Sequence, residues 1–302
     1  MFLLYVVTLV LTFVALMLVA GNNLSACVGP VVGSGIISKR FSVLLGASGF
    51  SIGLLFQGST MNRSVGILLP NASATLRAEA LLVAILVFVV ADVIRVPMSL
   101  NMSLVGLLAG ISVDAYSPAR ISFAVEVALT WVAAPLVAFA LAFCLIRFLN
   151  KGWPKNLWRR LQTYKVLLII LSFSSAYVLG ANTLGLVVAT GGFNEATVLI
   201  GVAAIFVGSF FLGERVIRRV SEELFLMRYA NATVTLVTST ILVEVATFFN
   251  IPLSNTQTTA SAVFGTGLSY RNKFVSLKPF LTILAGWVIA PLFSFGIGLL
   301  LR

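Results

Sequence analysis

The sequence predicts an all-α polytopic membrane protein built from two homologous repeats. Of its 302 residues, 60% are hydrophobic and 10% are charged, whereas a soluble domain carries about 25% charged residues. Apolar runs, some of them shorter than a full membrane span, recur at Phe2–Val19, Leu81–Val90, Ile121–Ile146, Val166–Leu179 and Phe280–Leu301. These runs lack the alternation of barrel strands, so we expect helices that cross a lipid bilayer.

The apolar N-terminus is predicted to be the first transmembrane helix. It lacks the basic leading region and the small-residue cleavage site of a secretory signal. Near the middle of the chain, Arg147–Lys165 holds six of the twenty basic residues and no acidic residue. Such a segment is typical of a cytoplasmic loop rather than of a nucleic-acid site. We therefore expect a first membrane repeat at 1–146, a basic cytoplasmic linker at 147–165 and a second membrane repeat at 166–302.

The repeat is most visible as a polar interruption that occurs twice inside apolar sequence. The two copies, Val93–Gly110 and Phe248–Gly265, align at a constant offset of 155 residues. This offset pairs proline with proline, serine with serine and glycine with glycine, at Pro97 and Pro252, Ser99 and Ser254, and Gly110 and Gly265. Polar breaks at corresponding places in two halves of a membrane chain indicate the binding site of a transporter.

Each half is predicted to contain about five apolar segments. A long helix runs into a Gly-x-Asn sequence, at Gly21–Asn23 or Gly180–Asn182, and a second helix ends near Gly58 or Gly213. A third helix reaches the proline, a short helix follows it, and a long helix closes the half. We expect the repeats to be inverted, which requires an odd number of crossings per half. Broken half-helices would then meet near the bilayer midplane.

The residues after each proline are predicted to bind an anion. They lie in the first turn of a new helix, where free N–H groups and the positive end of the helix dipole attract negative charge. Hydroxyl and amide side chains add hydrogen-bond partners there. The candidate substrate-binding residues are Ser99, Asn101, Ser254, Asn255, Thr256, Gln257 and Thr258. The alternative is that these side chains only satisfy a broken backbone or join helices.

Several classes of function are disfavoured by what the sequence lacks. It contains no histidine, and its two cysteines, Cys27 and Cys144, lie in apolar stretches without metal-ligand spacing. The absence of histidine argues against most nucleophilic enzymes and transition-metal sites, so we expect no enzymatic activity and no cofactor. The sequence also has no phosphate-binding loop for ATP, so transport would be driven by an ion gradient or a partner.

Three motifs resemble the signatures of the PiT family of inorganic phosphate transporters. They are GNNLSACVGPVVGSG at Gly21–Gly35, the weaker GANTLGLVV at Gly180–Val188, and PLSNTQTTASAVFGTG at Pro252–Gly267. The resemblance implies two inverted halves in the plasma membrane of a prokaryote. It also implies uptake of inorganic phosphate with co-transported Na⁺ or H⁺, and some relatives carry sulfate. No nucleic-acid partner is expected, and a homodimer is one candidate assembly.

The motifs depart from the family at its expected cation ligands. The aspartate that follows Gly-x-Asn in the family is Leu24 in the first copy and Thr183 in the second, and the family histidine is Gln257. The cation could still be held by neutral oxygen atoms. The candidate coupling-ion residues are Asn22, Asn23, Ser25, Asn182, Thr183, Asp92 and Glu244.

The carboxylates are included because an acid inside a membrane is costly and is often functional. Asp92 and Glu244 lie in apolar helices that lead to the two prolines, and Glu126 lies in another apolar run. Asp92 has a structural alternative, since it could pair with Arg95 one helical turn away. The predicted function is cation-coupled phosphate transport by alternating access. The alternatives are a sulfate permease, in particular a proton-coupled one, and an anion channel.

Overall fold

The computed structural model describes residues 2–33, 35–70, 72–93, 99–113, 117–152, 157–213, 229–269 and 277–301. All regular elements in these ranges are helical, which confirms the predicted fold class. The α-helices are α1 (Phe2–Gly33), α2 (Lys39–Gln57), α3 (Met61–Leu68), α4 (Ala74–Val93), α5 (Leu100–Ile111), α6 (Pro118–Gly152), α7 (Leu157–Leu179), α8 (Gly185–Gly191), α9 (Glu195–Gly208), α10 (Tyr229–Phe248), α11 (Asn255–Leu268) and α12 (Leu277–Leu300). Three short turns continue these helices, a 3₁₀ turn at Gly58–Thr60 and π turns at Gly180–Leu184 and Ser209–Gly213.

The helical segments include spans that are long and apolar enough to cross a membrane. In the described part of the chain there are six, at Phe2–Gly33, Lys39–Leu68, Pro118–Leu149, Trp158–Gly191, Glu195–Gly213 and Tyr229–Phe248. Many of their large apolar side chains are exposed, as those of a lipid-facing surface would be. The protein is therefore an integral, multi-pass membrane protein.

The helices that follow the polar interruptions are short, as expected. Helix α5 begins after Ser99 and has 12 residues, and helix α11 begins after Ser254 and has 14 residues. At 1.5 Å per residue, each is about 20 Å long, too short for a hydrocarbon core of about 30 Å. The positions Arg95 and Pro97 lie outside the described residues.

The two predicted halves pack by reciprocal pairing of their helices. Helix α1 packs against α9 while α2 packs against α7, and α5 packs against α12 while α6 packs against α11. Each of these pairs combines one helix from each predicted half. A contact that a helix of one half makes is repeated by the corresponding helix of the other half. This pattern is the one expected of two related halves that share one core. The boundaries of the halves and their orientation in the membrane remain predictions.

The helices extend into the predicted basic linker. Helix α6 continues to Gly152 and α7 begins at Leu157, so both cover much of 147–165. Near the end of α6, the Arg147 guanidinium lies 4.2 Å from the centre of the Phe143 ring, a cation–π contact. The cytoplasmic placement of this segment remains a prediction.

Helix α2 and the segment from α7 into its π turn approach each other closely at two glycines, Gly53 and Gly180. A Cβ at Gly53 would overlap the carbonyl oxygen of Tyr177, and one at Gly180 would overlap that of Phe50. We expect Gly53→Ala to lower the free energy of unfolding by about 1–3 kcal/mol, because the helix backbones would have to separate. Thermal unfolding of the detergent-solubilised protein would measure this loss.

The matched control for this prediction is Gly66→Ala in α3. A Cβ at Gly66 would meet none of the described atoms within 4 Å. Alanine is the better helix former, so this change is expected to be neutral or slightly stabilising. Equal losses of stability in the two variants would show that the close approach of α2 and α7 is not what requires Gly53.

Candidate functional site

The site is centred on Asn182, which lies in the π turn between α7 and α8. Widened turns of this kind occur often at functional sites. Asn182 is fully buried, and its side-chain amide makes four hydrogen bonds. Nδ2 donates to Thr247 Oγ1 and to the Ile251 carbonyl, both at 3.0 Å, and Oδ1 accepts from the Leu253 N–H at 3.0 Å and from Asn101 Nδ2 at 3.1 Å. This one side chain therefore joins α5, α10 and the segment before α11.

Asn101, in the first turn of α5, provides the second part of this network. Its Nδ2 lies 3.1 Å from Asn182 Oδ1, 3.0 Å from Thr183 Oγ1 and 3.3 Å from the Leu253 carbonyl. The first-half residue Asn101 is thus bonded to the second-half pair Asn182 and Thr183. The structure thus joins the first proline motif, which contains Asn101, to the second Gly-x-Asn motif, which contains Asn182 and Thr183.

The orientations of the two amides follow from their fixed backbone partners. The Ile251 carbonyl can only accept and the Leu253 N–H can only donate, so Asn182 Oδ1 must face Leu253. Asn182 Oδ1 then requires a donor from Asn101, which turns the Asn101 amide nitrogen toward the network. Asn101 Oδ1 is left buried without a hydrogen-bond partner in the described part of the protein.

The first turn of α11 is surrounded by buried hydroxyl and amide groups. Ser239 on α10 donates to Asn255 Oδ1, and its hydroxyl lies 2.9 Å from both Thr258 Oγ1 and Thr259 Oγ1. These contacts attach the start of α11 to α10. Of the five candidate substrate residues on this turn, four are buried and Thr256 is half-buried. Gln257 Oε1 is another buried oxygen without a partner among the described residues.

Both short helices begin without a side-chain cap. In the described structure, neither Ser99 nor Ser254 accepts a hydrogen bond from the first-turn N–H groups of its own helix. The Ser254 hydroxyl instead lies 2.7 Å from Thr256 Oγ1. Helix starts of this kind can offer their N–H groups and the positive end of their dipole to an anion.

The first Gly-x-Asn sequence is arranged differently from the second. Helix α1 runs through it without interruption, and Asn23 Nδ2 donates to the carbonyl of Val19 in the same helix. Ser25 Oγ donates to the Asn22 carbonyl, also within α1. Asn22, Asn23 and Ser25 are therefore bonded within their own helix and not to the Asn182 network.

The start of α11 nevertheless contacts α1 from the first half. Asn255 Nδ2 lies 3.9 Å from Cys27 Sγ, one turn beyond Asn23. At the start of α5, Asn101 likewise contacts Asn182 and Thr183, which follow the first helix of the second half. The start of each short helix thus faces the first helix of the opposite half, which the separate motifs did not reveal.

One candidate carboxylate has a defined partner. Glu244 Oε1 on α10 accepts from Gln57 Nε2 at 2.9 Å, while Glu244 Oε2 is buried without a partner among the described residues. Glu126 is exposed on α6. The side chain of Asp92 lies outside the described residues, as does Arg95, so their predicted pairing is untested.

The sequence motifs did not indicate the hydroxyl residues of α10. Ser239 and Thr247 both bond candidate site residues, although they lie far from the proline motif along the helix. The available signal was the repeated hydroxyl in an otherwise apolar helix, at Thr233, Thr235, Thr238, Ser239 and Thr247. Each of these side chains is buried.

A cavity of about 370 Å³ lies beyond the end of α8. Arg77, in α4, lines it and donates through Nη1 to the carbonyls of Ala189 at 3.1 Å and Thr190 at 3.3 Å. A cation at these last carbonyls stabilises the C-terminal end of the helix. Because seven residues of helix separate Ala189 from Asn182, the cavity lies about 10 Å along the helix from the Asn182 network.

Comparisons with known proteins agree with this architecture. The chain is 25% identical to a "Putative phosphate permease" of Methanocaldococcus jannaschii over 97% of this chain and 95% of the relative. It is 24% identical to the sulfate permease CysP of Bacillus subtilis, over 94% of this chain and 83% of the relative. A solved structure described as the sodium-dependent phosphate transporter has the same fold, with a TM-score of 0.84 and 15% identity over 99% of this chain and 98% of that chain.

A family model extends the comparison to the sequence pattern of the whole chain. The model of the phosphate transporter family matches twice, at residues 19–190 and 154–298. Together the two matches include the Gly-x-Asn sequences, the short helices and the Asn182 network. The chain is a member of the phosphate transporter family.

Proposed function

We propose that the protein is a secondary active transporter that carries inorganic phosphate across the membrane together with a cation. The observation that carries this proposal is the position of two uncapped helix starts. The start of α5 contacts buried Asn182, and the start of α11 is attached to α10, which also contacts Asn182. Free N–H groups at helix starts suit an oxyanion. Membership of the phosphate transporter family supports phosphate as that oxyanion.

The substrate would be held by the first turns of α5 and α11. Ser99 and Asn101 would contribute from the first half, and the residues from Ser254 to Thr258 from the second. The second turn has more hydroxyl and amide groups, so it would make most of the substrate contacts. Reciprocal packing of the halves supports alternating access, in which the halves rock around this site.

Two kinds of cation coupling are compatible with the residues. Sodium would bind oxygen atoms of the Gly-x-Asn segments, at Asn22, Asn23, Ser25, Asn182 and Thr183, and the name of the solved sodium-dependent transporter supports this choice. A proton would instead be carried by Glu244 or Asp92. Glu244 is favoured of the two because one of its oxygens is buried without a partner in the described structure.

The second candidate function is sulfate transport. The likeness to the Bacillus subtilis sulfate permease favours it, and helix starts suit both oxyanions. An anion channel has less support, because the candidate polar residues cluster around the interrupted segments. The archaeal and bacterial relatives support a prokaryotic plasma membrane as the location. A homodimer remains a candidate assembly.

Uptake into proteoliposomes would test the proposal. Labelled phosphate and labelled sulfate would be supplied separately, under an imposed Na⁺ gradient, an imposed pH gradient, or neither. We expect saturable phosphate uptake that increases with one of the two gradients, and exchange with unlabelled internal phosphate. Protein-free liposomes are the control. Saturable uptake of sulfate alone would replace phosphate by the second candidate, and conductance without saturable exchange would indicate a channel.

A further inference from the structure

Asn101 Oδ1 is a buried hydrogen-bond acceptor at the start of α5. It is fully buried and lacks a hydrogen-bond partner in the described part of the protein. The amide cannot be turned around to remove the problem, because its nitrogen is required by Asn182 Oδ1 and by the Leu253 carbonyl. A buried oxygen without a donor is costly, so this atom points to a ligand that supplies one.

The location of the oxygen restricts the charge of that ligand. Asn101 is the second residue of α5, at the positive end of the helix dipole. The dipole at this position favours an anion over a cation. A neutral donor such as water would also satisfy this oxygen. Among charged ligands, the helix start favours an anion, and an anion can donate a hydrogen bond only if it carries an acidic proton.

We propose that Asn101 Oδ1 accepts a hydrogen bond from the P–O–H group of protonated phosphate and so selects protonated oxyanions. Phosphate carries at least one proton near neutral pH, whereas sulfate carries none and can only accept. With sulfate in the same place, two oxygen atoms would face each other without a hydrogen between them. The inference rests on the proposed function, because it assigns one contact of the same substrate.

Gln257 Oε1 is a second buried side-chain oxygen near a helix start. It is buried in the first turn of α11 and also lacks a partner among the described residues. Sites built to bond a substrate hydroxyl reject analogues without it by large factors. We therefore expect oxyanions that lack a proton to bind at least about 100-fold more weakly than phosphate.

Arsenate and selenate provide a test that needs no mutation. The two anions are both tetrahedral and similar in size, but arsenate carries a proton near neutral pH and selenate does not. Each would compete with labelled phosphate for uptake into proteoliposomes that contain the intact protein. We expect arsenate to compete at concentrations close to those of phosphate, and selenate and sulfate to require at least about 100-fold more.

The variant Asn101→Ala tests the residue itself. It removes Oδ1, so the ratio of selenate to arsenate concentrations needed for half-inhibition should fall at least 10-fold, to about one tenth of its original value. Thr247→Val is the matched control, because it removes a hydroxyl partner of Asn182 in the same network and leaves Asn101 Oδ1 in place. Both ratios are measured within one preparation, so they do not depend on the fraction of folded protein. Asn101→Ser serves if Asn101→Ala does not reconstitute.

The outcomes separate this inference from the proposed function. Phosphate uptake with equally strong competition by selenate would overturn the inference and leave phosphate transport intact. An unchanged ratio in the Asn101 variants, or an equal fall in Thr247→Val, would also overturn the role of Asn101 Oδ1. Absence of phosphate uptake by the original protein would overturn the proposed function, and the inference with it.

Discussion

Replacing Asn182 by leucine is expected to abolish phosphate uptake and to lower the free energy of unfolding by about 3 kcal/mol or more. Leucine has a similar size but cannot form any of the four hydrogen bonds of the amide. The buried Leu253 N–H and Ile251 carbonyl would lose their partner, at about 1–3 kcal/mol each. The start of α5 would also lose one of its two hydrogen bonds to the broken helix. Thermal unfolding and uptake assays would measure the two effects.

The matched control is Asn23→Leu, at the corresponding position of the first half. The Asn23 amide donates to Val19 in its own helix and takes no part in the Asn182 network. We expect this change to alter the free energy of unfolding by about 1 kcal/mol or less. If both substitutions reduced stability equally, the network around Asn182 would not be the junction that joins the two halves.

Replacing Glu244 by glutamine is expected to abolish uptake driven by a pH gradient and to retain exchange of phosphate across the membrane. The amide cannot bind and release a proton, but its carbonyl can still accept from Gln57 Nε2. The hydrogen bond between α2 and α10 would therefore survive. Net uptake needs the coupling ion, whereas exchange needs only movement of the loaded site. Both would be measured with labelled phosphate in proteoliposomes.

Glu126→Gln is the control for this change, because Glu126 is an exposed acid on the apolar helix α6. It is expected to leave pH-driven uptake intact. Unchanged pH-driven uptake in the Glu244 variant would exclude Glu244 as the proton carrier. Loss of Na⁺-driven uptake in Asn182 or Thr183 variants that still fold would then favour sodium coupling through neutral oxygen atoms.

Local chemistry explains why much of the fold could be predicted. The charge content and the apolar runs identify a membrane protein, because hydrocarbon admits few charged groups. The polar residues after Pro252 identify the start of α11, because serine, asparagine and threonine favour helix starts. These features depend on residues that are neighbours in the sequence. They can therefore be predicted without knowing which helices pack together.

The differences between the two halves could not be predicted in this way. The two Gly-x-Asn sequences look alike, yet α1 continues through Asn23 while α7 widens into a π turn at Asn182. The hydroxyls of Ser239 and Thr247 are likewise indistinguishable from residues that join helices. Their roles depend on the backbone groups that another helix brings within hydrogen-bond distance.

Composition, apolar runs and polar breaks are enough to predict a helical membrane protein with short helices beginning at those breaks, and they indicate the residues at the helix starts. The packing of the helices was needed to show that Asn101 bonds Asn182 and Thr183, which leaves one amide oxygen buried without a partner among the described residues. These residues are far apart along the chain. Helix starts follow from adjacent residues, whereas hydrogen bonds between residues 81 positions apart depend on how whole helices pack.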